Sequence, residues 1–235
     1  MLPPFARTAL LLDLDGTLLD FAPTPASVVI PPGLIDTLHA LQAALDGALA
    51  IVTGRAIPVL DGFVGSAFAA AGEHGGAIRH APGAPFERID LPTPPETWLE
   101  QAAALAAAHP GALLERKARG FALHFRLAPD AGPVLHAALT AMIAESRDFH
   151  IMPGLLLWEV RPLGADKGSA VTALMARPPF LGRLPLFIGD DVTDEDGMRA
   201  ARLMGGEGLR VEPVFGSPAG VRAWLTQAAS TGEWP

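Results

Sequence analysis

The chain of 235 residues contains no cysteine. This absence excludes a disulfide framework and a thiolate metal site, and it fits a reducing compartment. Basic residues are the minority, since 17 Lys and Arg stand against 25 Asp and Glu and give a formal net charge of −8. An acidic chain is a poor partner for nucleic acid or an anionic membrane surface. A small anionic substrate remains compatible, because the local charge of a site can oppose the net charge.

Long apolar segments are also absent. The alanine-rich stretch 102–108 is too short to span a bilayer, and Glu100 and His109 flank it. Segment 1–7 lacks the basic part and the following apolar part of a signal peptide. Half of the residues are apolar, so the chain can build a substantial core. We therefore expect a soluble protein of the cytoplasm.

Several catalytic motifs are missing as well. The chain has no G-x-x-x-x-G-K-[ST] nucleotide-binding loop, no G-x-S-x-G nucleophile elbow and no H-E-x-x-H zinc motif. Its seven histidines are scattered, and His74 and His80 lack the helical spacing and the partners of a metal pair. These absences argue against the enzyme classes that depend on those motifs.

The most informative motif is Asp13-Leu14-Asp15-Gly16-Thr17, which follows the aliphatic run 9–12. Such a run is typical of a buried parallel strand, and residues two apart lie on the same side of an extended chain. The two carboxylates repel each other unless a cation lies between them or one holds a proton. The motif indicates a carboxylate nucleophile, an acid/base, a divalent metal and a phosphate-binding turn. A strand that merely ends in a polar loop is the alternative.

Two further apolar runs end in polar groups. Segment 48–52 precedes Thr53-Gly54-Arg55, and segment 186–188 precedes Gly189-Asp190-Asp191. In open α/β sheets, ligands collect beyond the carboxyl ends of the strands. We therefore expect these two groups and Asp13 to meet at one edge of a sheet.

The pattern of elements predicts an α/β fold with a parallel sheet. A helix is expected from Pro32, because Leu34, Ile35, Leu38, Leu41 and Leu45 form an apolar stripe. Segment 68–71 is a weaker strand. We predict a Rossmann-like core from 1–78 and 160–235.

The middle of the chain has its own set of elements. Helical patterns cover 95–108 and 130–146, and strand patterns cover 121–126 and 155–160. His124 and Arg126 are expected on one face of the first of these strands. We predict that 79–159 forms a smaller inserted α/β cap domain.

Lys167 lies in the first turn of a helix that is expected to begin at Asp166. A lysine there opposes the helix dipole at a cost of roughly 0.3–1 kcal/mol. The position becomes favourable if the ammonium faces an anion, and a helix N-terminus itself binds phosphate. Lys167 is therefore a candidate phosphate ligand, with an ordinary surface lysine as the alternative.

A run of acids follows the strand at 186–188. Asp194, Glu195 and Asp196 are typical of a first helical turn with Thr193 as its cap. Capping does not explain Asp190 and Asp191. Oxygen ligands without soft donors favour Mg²⁺.

With these four parts in this order, the chain resembles the haloacid dehalogenase (HAD) superfamily of phosphotransferases. The resemblance implies that Asp13 is a nucleophile that forms an aspartyl-phosphate and that Asp15 is the general acid and base. It implies that Thr53 and Lys167 neutralise the transferring phosphoryl group, assisted by Gly16, Thr17 and Gly54.

The same resemblance implies a metal site. Mg²⁺ would be held by Asp13, the backbone carbonyl of Asp15, and Asp190. Asp191 and Asp194 would support these ligands from behind.

Segments 114–117, 122–126 and 159–162, together with Glu73-His74-Gly75, narrow the resemblance to the trehalose-6-phosphate phosphatase family. Ala118 departs from it, because a glycine is expected there. The family implies Mg²⁺-dependent hydrolysis of trehalose 6-phosphate in trehalose biosynthesis. It suggests sugar contacts by Lys117, His124, Arg126 and Glu159, with Arg55 on the core side; a salt bridge or a solvated strand face is the alternative for each.

Other functions stay open. The same chemistry could act on sucrose 6-phosphate, a glycosyl-phosphoglycerate or a hexose phosphate, or carry the phosphoryl group to a second sugar. A catalytically silent regulator that binds sugar phosphate would be expected to lack Asp15. The sequence is compatible with a monomer and with association with a trehalose-phosphate synthase.

Overall fold

The structure, a computed structural model, describes residues 1–21 and 28–235. Its strands are β1 (Thr8–Leu12), β2 (Leu49–Val52), β3 (Ala69–Gly72), β4 (Ala77–Arg79), β5 (Glu87–Arg88), β6 (Leu113–Arg116), β7 (Phe121–His124), β8 (Phe149–Gly154), β9 (Leu157–Pro162), β10 (Leu184–Gly189) and β11 (Glu207–Arg210). Its α-helices are α1 (Leu34–Ala44), α2 (Ile57–Val64), α3 (Glu96–Ala108), α4 (Gly132–Ile143), α5 (Lys167–Met175), α6 (Asp194–Leu203), α7 (Val211–Phe215) and α8 (Pro218–Thr231).

The chain divides into two compact units, Met1–Ile89 with Ala165–Pro235, and Asp90–Gly164. The sequence interpretation set the divisions at 78/79 and 159/160. They differ because β4 and β5 add antiparallel strands to the sheet of the first unit. At the other end, β9 stays paired with β8 as far as Pro162. The role of the second unit as a cap stays a prediction.

The first unit is built on a sheet of order β11-β10-β1-β2-β3-β4-β5, in which the first five strands are parallel. Every residue of β1, β2 and β3 is buried. Strands covered on both faces are continuous apolar runs rather than alternating ones, so the sequence could reveal them. The predicted α/β class with a parallel sheet is confirmed.

Helix α1 shows why the apolar stripe was predictive. Leu34, Leu38 and Leu41 are buried, and Leu45 lies buried at its C-terminal end. The helix begins at Leu34 rather than at Pro32, because Gly33 has a positive φ of 77° and takes the N-cap position.

The second unit is a four-stranded antiparallel sheet of order β6-β7-β9-β8 with helices α3 and α4. Its core includes Phe121, Leu123, Leu135, Leu139 and Val160. Strand β7 ends at His124, so Arg126 lies in the following turn and not on the strand. The Phe125 N–H still donates to the Leu156 carbonyl at 2.9 Å, and the turn is closed by the Ala128 N–H, which donates to the Phe125 carbonyl at 2.9 Å.

Within the described residues, no helix combines the length and the hydrophobicity that a membrane crossing requires.

Candidate active site

The carboxyl ends of three neighbouring strands carry the predicted core residues. Strand β1 lies between β10 and β2, with Leu12 paired to Ile188 and to Ile51. Asp13, Thr53 and Asp190 follow these strands directly. The Asp13 N–H still donates to the Ile188 carbonyl at 2.9 Å, so the sheet itself orients the first residue after β1.

Lys167 links two buried carboxylates. Its Nζ lies 2.7 Å from Asp13 Oδ1 and 2.5 Å from Asp194 Oδ1. The three side chains are 3%, 5% and 0% exposed, and a buried charge is tolerated only when it is paired and hydrogen-bonded. Burial alone would lower the pKa of Lys167, but the charges of Asp13 and Asp194 outweigh it and raise that pKa. Lys167 is therefore not the surface lysine of the alternative interpretation.

The first turn of α5 places this ammonium. Asp166 is the N-cap, and its side chain accepts a hydrogen bond from the Ser169 N–H at 2.7 Å. The Asp166 N–H donates in return to Ser169 Oγ at 3.0 Å. This capping box starts the helix at Lys167, one residue after the predicted start, with Asp166 as its N-cap.

Asp194 has a larger role than helix capping. Its Oδ2 accepts from the N–H groups of Asp190 and Asp191 at 3.1 and 3.0 Å. Thr193 occupies the N-cap position but makes no side-chain capping bond. Asp194 does lie in the first turn of α6 with Glu195 and Asp196, as predicted. Its buried carboxylate has a second role, because it joins Lys167 to the loop after β10. The supporting role for a metal that the resemblance implied for Asp194 stays a prediction.

Asp190 is held in a tight turn against Thr17. The Thr17 hydroxyl donates to Asp190 Oδ1 at 3.3 Å. Gly16 has a φ of 82°, and a Cβ there would lie 2.3 Å from Asp190 Oδ2. Burial, with the charges of Asp194 and Asp191, raises the pKa of Asp190 to about 6.

The site carries more negative than positive charge. Carboxylate oxygens of Asp13, Asp190 and Asp194 lie within 4.8 Å of one another, while Lys167 supplies one ammonium. Burial first, and then the charge of Asp194, raise the pKa of Asp13 well above its usual range. Clustered carboxylate oxygens without soft donors fit a hard divalent cation. Asp194 joins this cluster in addition to the side chains that the resemblance implied.

Asp15 forms a two-point ion pair with Arg55. The Nε and Nη2 atoms of Arg55 donate to the Asp15 carboxylate, each at 2.6 Å. This hydrogen bonding raises the pKa of Arg55, whose guanidinium also lies over the Phe63 ring, 4.9 Å from its centroid. Thr53 Oγ1 accepts from the Arg55 N–H at 3.1 Å. Asp15 and Arg55, assigned separate roles from the sequence, are direct partners.

A short loop at Glu73–Gly75 packs against Thr53-Gly54-Arg55. The sequence analysis did not predict this contact. The N–H groups of Glu73 and His74 donate to the carbonyls of Arg55 and Thr53 at 2.9 and 3.1 Å. A Cβ on Gly54 would lie 2.5 Å from His74 Nε2.

The backbone of this loop is unusual. Glu73, His74 and Gly75 have φ values of 55°, 54° and 102°, and residues other than glycine seldom adopt this region. A Cβ on Gly75 would lie 2.5 Å from the Asp166 carbonyl. The loop therefore contacts both the Thr53 turn and the start of α5, although the sequence showed Glu73-His74-Gly75 only as part of the family resemblance.

The predicted sugar-contacting residues lie in the second unit. Lys117 Nζ is 2.8 Å from Glu159 Oε1, and His124 Nε2 is 2.7 Å from Glu115 Oε2. The hydrogen bond from His124 lowers the pKa of Glu115. Lys117 and Glu159 thus make the salt bridge that was their alternative interpretation, and His124 is hydrogen-bonded to Glu115. Arg126 is exposed in the turn after β7.

The sequence model of the trehalose-phosphatase family matches residues 11–220. The chain belongs to the trehalose-phosphatase family. It is similar to a probable trehalose-phosphate phosphatase of Sinorhizobium fredii, with 40% identity over 215 residues that cover 87% of this chain and 78% of the relative. It is 35% identical to the trehalose-6-phosphate phosphatase of Escherichia coli over 216 residues, which cover 88% and 78%.

Solved structures agree on the fold of this trehalose-phosphatase family member. The C-terminal domain of the Candida albicans trehalose-6-phosphate phosphatase has a TM-score of 0.76 at 22% identity, covering 96% of this chain and 93% of that one. A haloacid dehalogenase-like hydrolase of Bacteroides thetaiotaomicron has a TM-score of 0.63 at 13% identity, covering 94% and 98%. The predicted family is confirmed, and with it the enzyme class, a phosphoric monoester hydrolase.

Proposed function

We propose that the chain hydrolyses trehalose 6-phosphate to trehalose and inorganic phosphate through an aspartyl-phosphate on Asp13. Family membership supports the substrate. The observation that carries the chemistry is the buried contact of Lys167 with Asp13 and Asp194 at the carboxyl edge of the sheet. It holds a carboxylate nucleophile beside a fixed positive charge.

In the first step, a carboxylate oxygen of Asp13 attacks phosphorus, and the bond from phosphorus to the bridging sugar oxygen breaks. Asp15 gives its proton to that oxygen, so trehalose leaves as an alcohol. Asp15 is two residues from Asp13. Its two hydrogen bonds from Arg55 favour the ionised form, which is the form that takes a proton from water in the second step.

In the second step, water attacks the phosphorus of the aspartyl-phosphate. Asp15 takes a proton from this water, the bond between phosphorus and the Asp13 oxygen breaks, and phosphate leaves. The same side chain thus acts first as acid and then as base, which restores both carboxyl groups.

The negative charge of the phosphoryl group needs donors around it. Lys167 supplies a fixed cation, and Thr53, Thr17 and Gly54 offer hydroxyl and backbone N–H groups at the strand ends. Gly16, whose N–H donates to the Leu19 carbonyl at 2.8 Å, would shape the turn around the phosphate. We propose that these groups bind the phosphate and hold it in line with Asp13.

The excess of carboxylates over cations in this site supports a divalent metal. We propose that Mg²⁺ is held by Asp13, Asp190 and the Asp15 carbonyl, with Asp191 and Asp194 in support. When bound, the ion would neutralise charge on the phosphoryl oxygens.

Selection of the sugar is assigned to the second unit. Lys117, His124, Arg126 and Glu159 offer charged and polar groups, which a polyhydroxyl ligand requires, and Arg55 would add a contact from the first unit. We propose that the chain acts in the cytoplasm, which its lack of cysteine favours. All residues proposed for the two steps come from one chain, so a monomer would suffice.

The test is phosphate release from a panel of sugar phosphates with and without Mg²⁺. We expect release from trehalose 6-phosphate that requires Mg²⁺ and disappears in Asp13→Asn. Hydrolysis of sucrose 6-phosphate, a glucosyl-phosphoglycerate or a hexose phosphate with trehalose 6-phosphate left intact would refute the substrate. Binding without hydrolysis would identify a silent regulator, and activity in Asp13→Asn would refute the nucleophile.

A further inference from the structure

Three groups from different elements hold the backbone and side chain of Asp190. Its N–H donates to Asp194 Oδ2 at 3.1 Å, and its Oδ1 accepts from the Thr17 hydroxyl at 3.3 Å. Its carbonyl accepts from Nη2 of Arg210 at 2.5 Å. Asp194 and Thr17 belong to the site already described, whereas Arg210 is the last residue of β11 and has no role in the proposed chemistry.

We propose that Arg210 is a positioning residue that sets the loop carrying Asp190 and thereby tunes the affinity of the site for its metal. The inference rests on the proposed function only in assigning a metal to Asp190. Arg210 acts through the peptide group of Asp190, and its guanidinium contacts neither Asp13 nor Lys167 in the described structure.

The geometry of the guanidinium explains why an arginine fits this position. Its Nη1 pairs with Glu195 Oε1 while its Nη2 binds the Asp190 carbonyl. Glu195 lies in the first turn of α6, next to Asp194. A planar fork with two donors can bridge two acceptors, which a single ammonium does less well. Arg210 thus ties the loop of Asp190 to the helix that carries Asp194.

The pairing of β10 with β11 places Arg210 beside the loop that carries Asp190. Gly189, the last residue of β10, pairs in register with Arg210 on β11, so the Arg210 side chain starts one residue from Asp190. A Cβ at Gly189 would lie 2.3 Å from Cγ of Asp194, and the glycine lets Asp194 fold back over the loop. Side chains that orient metal ligands from behind typically change metal affinity about 10- to 100-fold when they are removed.

Arg202 provides a matched control. It is 49% exposed where Arg210 is 40% exposed. It also pairs with a glutamate, Glu207, and donates to a backbone carbonyl, that of Gly208, at 2.6 Å. Arg202→Met therefore removes one pair with a glutamate and one hydrogen bond to a backbone carbonyl, as Arg210→Met does. The groups that lose their partner in Arg202→Met lie on β11, whereas Arg210→Met affects the loop of Asp190.

The experiment measures Mg²⁺ binding by calorimetry, and the melting temperature without metal, for the wild type, Arg210→Met, Arg210→Lys and Arg202→Met. We expect the Mg²⁺ dissociation constant to rise about tenfold or more in Arg210→Met. It should rise less in Arg210→Lys and stay within twofold in Arg202→Met. The two methionine variants should have similar melting temperatures, because both arginines are half exposed.

An unchanged Mg²⁺ affinity in Arg210→Met would refute the positioning role, as would equal losses of affinity in both methionine variants. If Arg210→Met does not fold, the Mg²⁺ affinities of Arg210→Lys and Glu195→Gln are measured instead, because each of these conservative changes weakens the contacts of Arg210 with Glu195 and Asp190. Wild-type Mg²⁺ affinity in both variants would refute the positioning role. A wild type that binds no Mg²⁺ would overturn the metal assignment together with this inference. Normal binding by the wild type with no effect at Arg210 overturns this inference alone.

Discussion

The Lys167 ammonium lies 2.7 Å from the Asp13 carboxylate, and both side chains are almost fully buried. The same ammonium contacts Asp194, so one cation serves two carboxylates. Removal of one partner from a buried ion pair leaves an uncompensated charge and typically costs about 3–5 kcal/mol. The contact is therefore both a stability element and a part of the proposed phosphate site.

We predict that Lys167→Met lowers the free energy of unfolding by about 3–5 kcal/mol in metal-free buffer at neutral pH. Mg²⁺ should recover part of this loss, because it supplies the missing positive charge. Urea unfolding with and without Mg²⁺ measures both effects. Arg199→Met is the control, since its exposed pair with Asp196 should contribute less than about 1 kcal/mol. Equal losses in the two variants would contradict the prediction.

The raised pKa of Asp190 predicts that the stability of the metal-free protein depends on pH. Its pKa is about 6 in the folded state, above the value of about 3.9 for an unperturbed aspartate. The folded state therefore retains a proton that the unfolded state has released, and the stability from this group is lost as pH rises from about 4 through 6.

The measurement compares the free energy of unfolding of the wild type and Asp190→Asn between pH 4 and 8 without metal. We expect the wild type to lose stability relative to the variant as pH rises through about 6. Saturating Mg²⁺ should abolish this difference in slope, because the ion favours the ionised carboxylate. A constant difference across the pH range would show that Asp190 does not titrate in this window.

The strand ends and Lys167 were predictable from the sequence for a physical reason. Parallel strands buried on both faces are continuous apolar runs, so the polar groups after β1, β2 and β10 stand out. The position of Lys167 follows from a helix start that Asp166 marks locally.

The positions of Asp194 and His74 could not be predicted in the same way. An acidic residue in a first helical turn is already explained by the helix dipole, and only the packing of α6 against α5 and β10 buries Asp194 beside Lys167. The left-handed backbone of Glu73 and His74 is imposed by contacts with Thr53 and Arg55, not by their residue types. The Asp15–Arg55 pair likewise depends on the turn after β2.

Gly16 and Gly33 form a matched pair for a test of the turn at Asp190. Both have positive φ, 82° and 77°, but a Cβ at Gly33 would lie within 4 Å of no atom of the described residues. Gly33→Ala should lower the free energy of unfolding only through backbone strain, by about 1–2 kcal/mol. Gly16→Ala should lower the free energy of unfolding by more than that and weaken Mg²⁺ binding at least about tenfold, because its Cβ would displace Asp190, the proposed metal ligand. Calorimetric titration of both variants provides the measurement, and equal Mg²⁺ affinities would refute the steric argument.

Asp15 predicts a dependence on the leaving group. Asp15→Asn should slow hydrolysis of trehalose 6-phosphate about 10²- to 10⁴-fold, because an alkoxide needs a proton to leave. Nitrophenolate leaves without a proton, so 4-nitrophenyl phosphate should still phosphorylate Asp13 in this variant. The attack of water on the aspartyl-phosphate should stay slow, because it needs Asp15 as the base. Rapid mixing should then give a burst of one nitrophenolate per site. Asp13→Asn should give no burst, and absence of a burst in Asp15→Asn would argue against its role as the acid.

A comparison of substitutions at the neighbouring residues Lys117 and Arg116 distinguishes recognition of the sugar from a general effect of surface charge. Lys117 pairs with Glu159, which is 13% exposed, whereas Arg116 pairs with Glu96, which is 62% exposed. A hydrogen bond to a charged group contributes about 1.5–3 kcal/mol, which corresponds to roughly 10- to 100-fold in binding. Lys117→Met should raise the KM for trehalose 6-phosphate by that factor and leave the KM for 4-nitrophenyl phosphate unchanged. Arg116→Met should alter neither, and equal effects on both substrates in Lys117→Met would mean that Lys117 does not recognise the sugar.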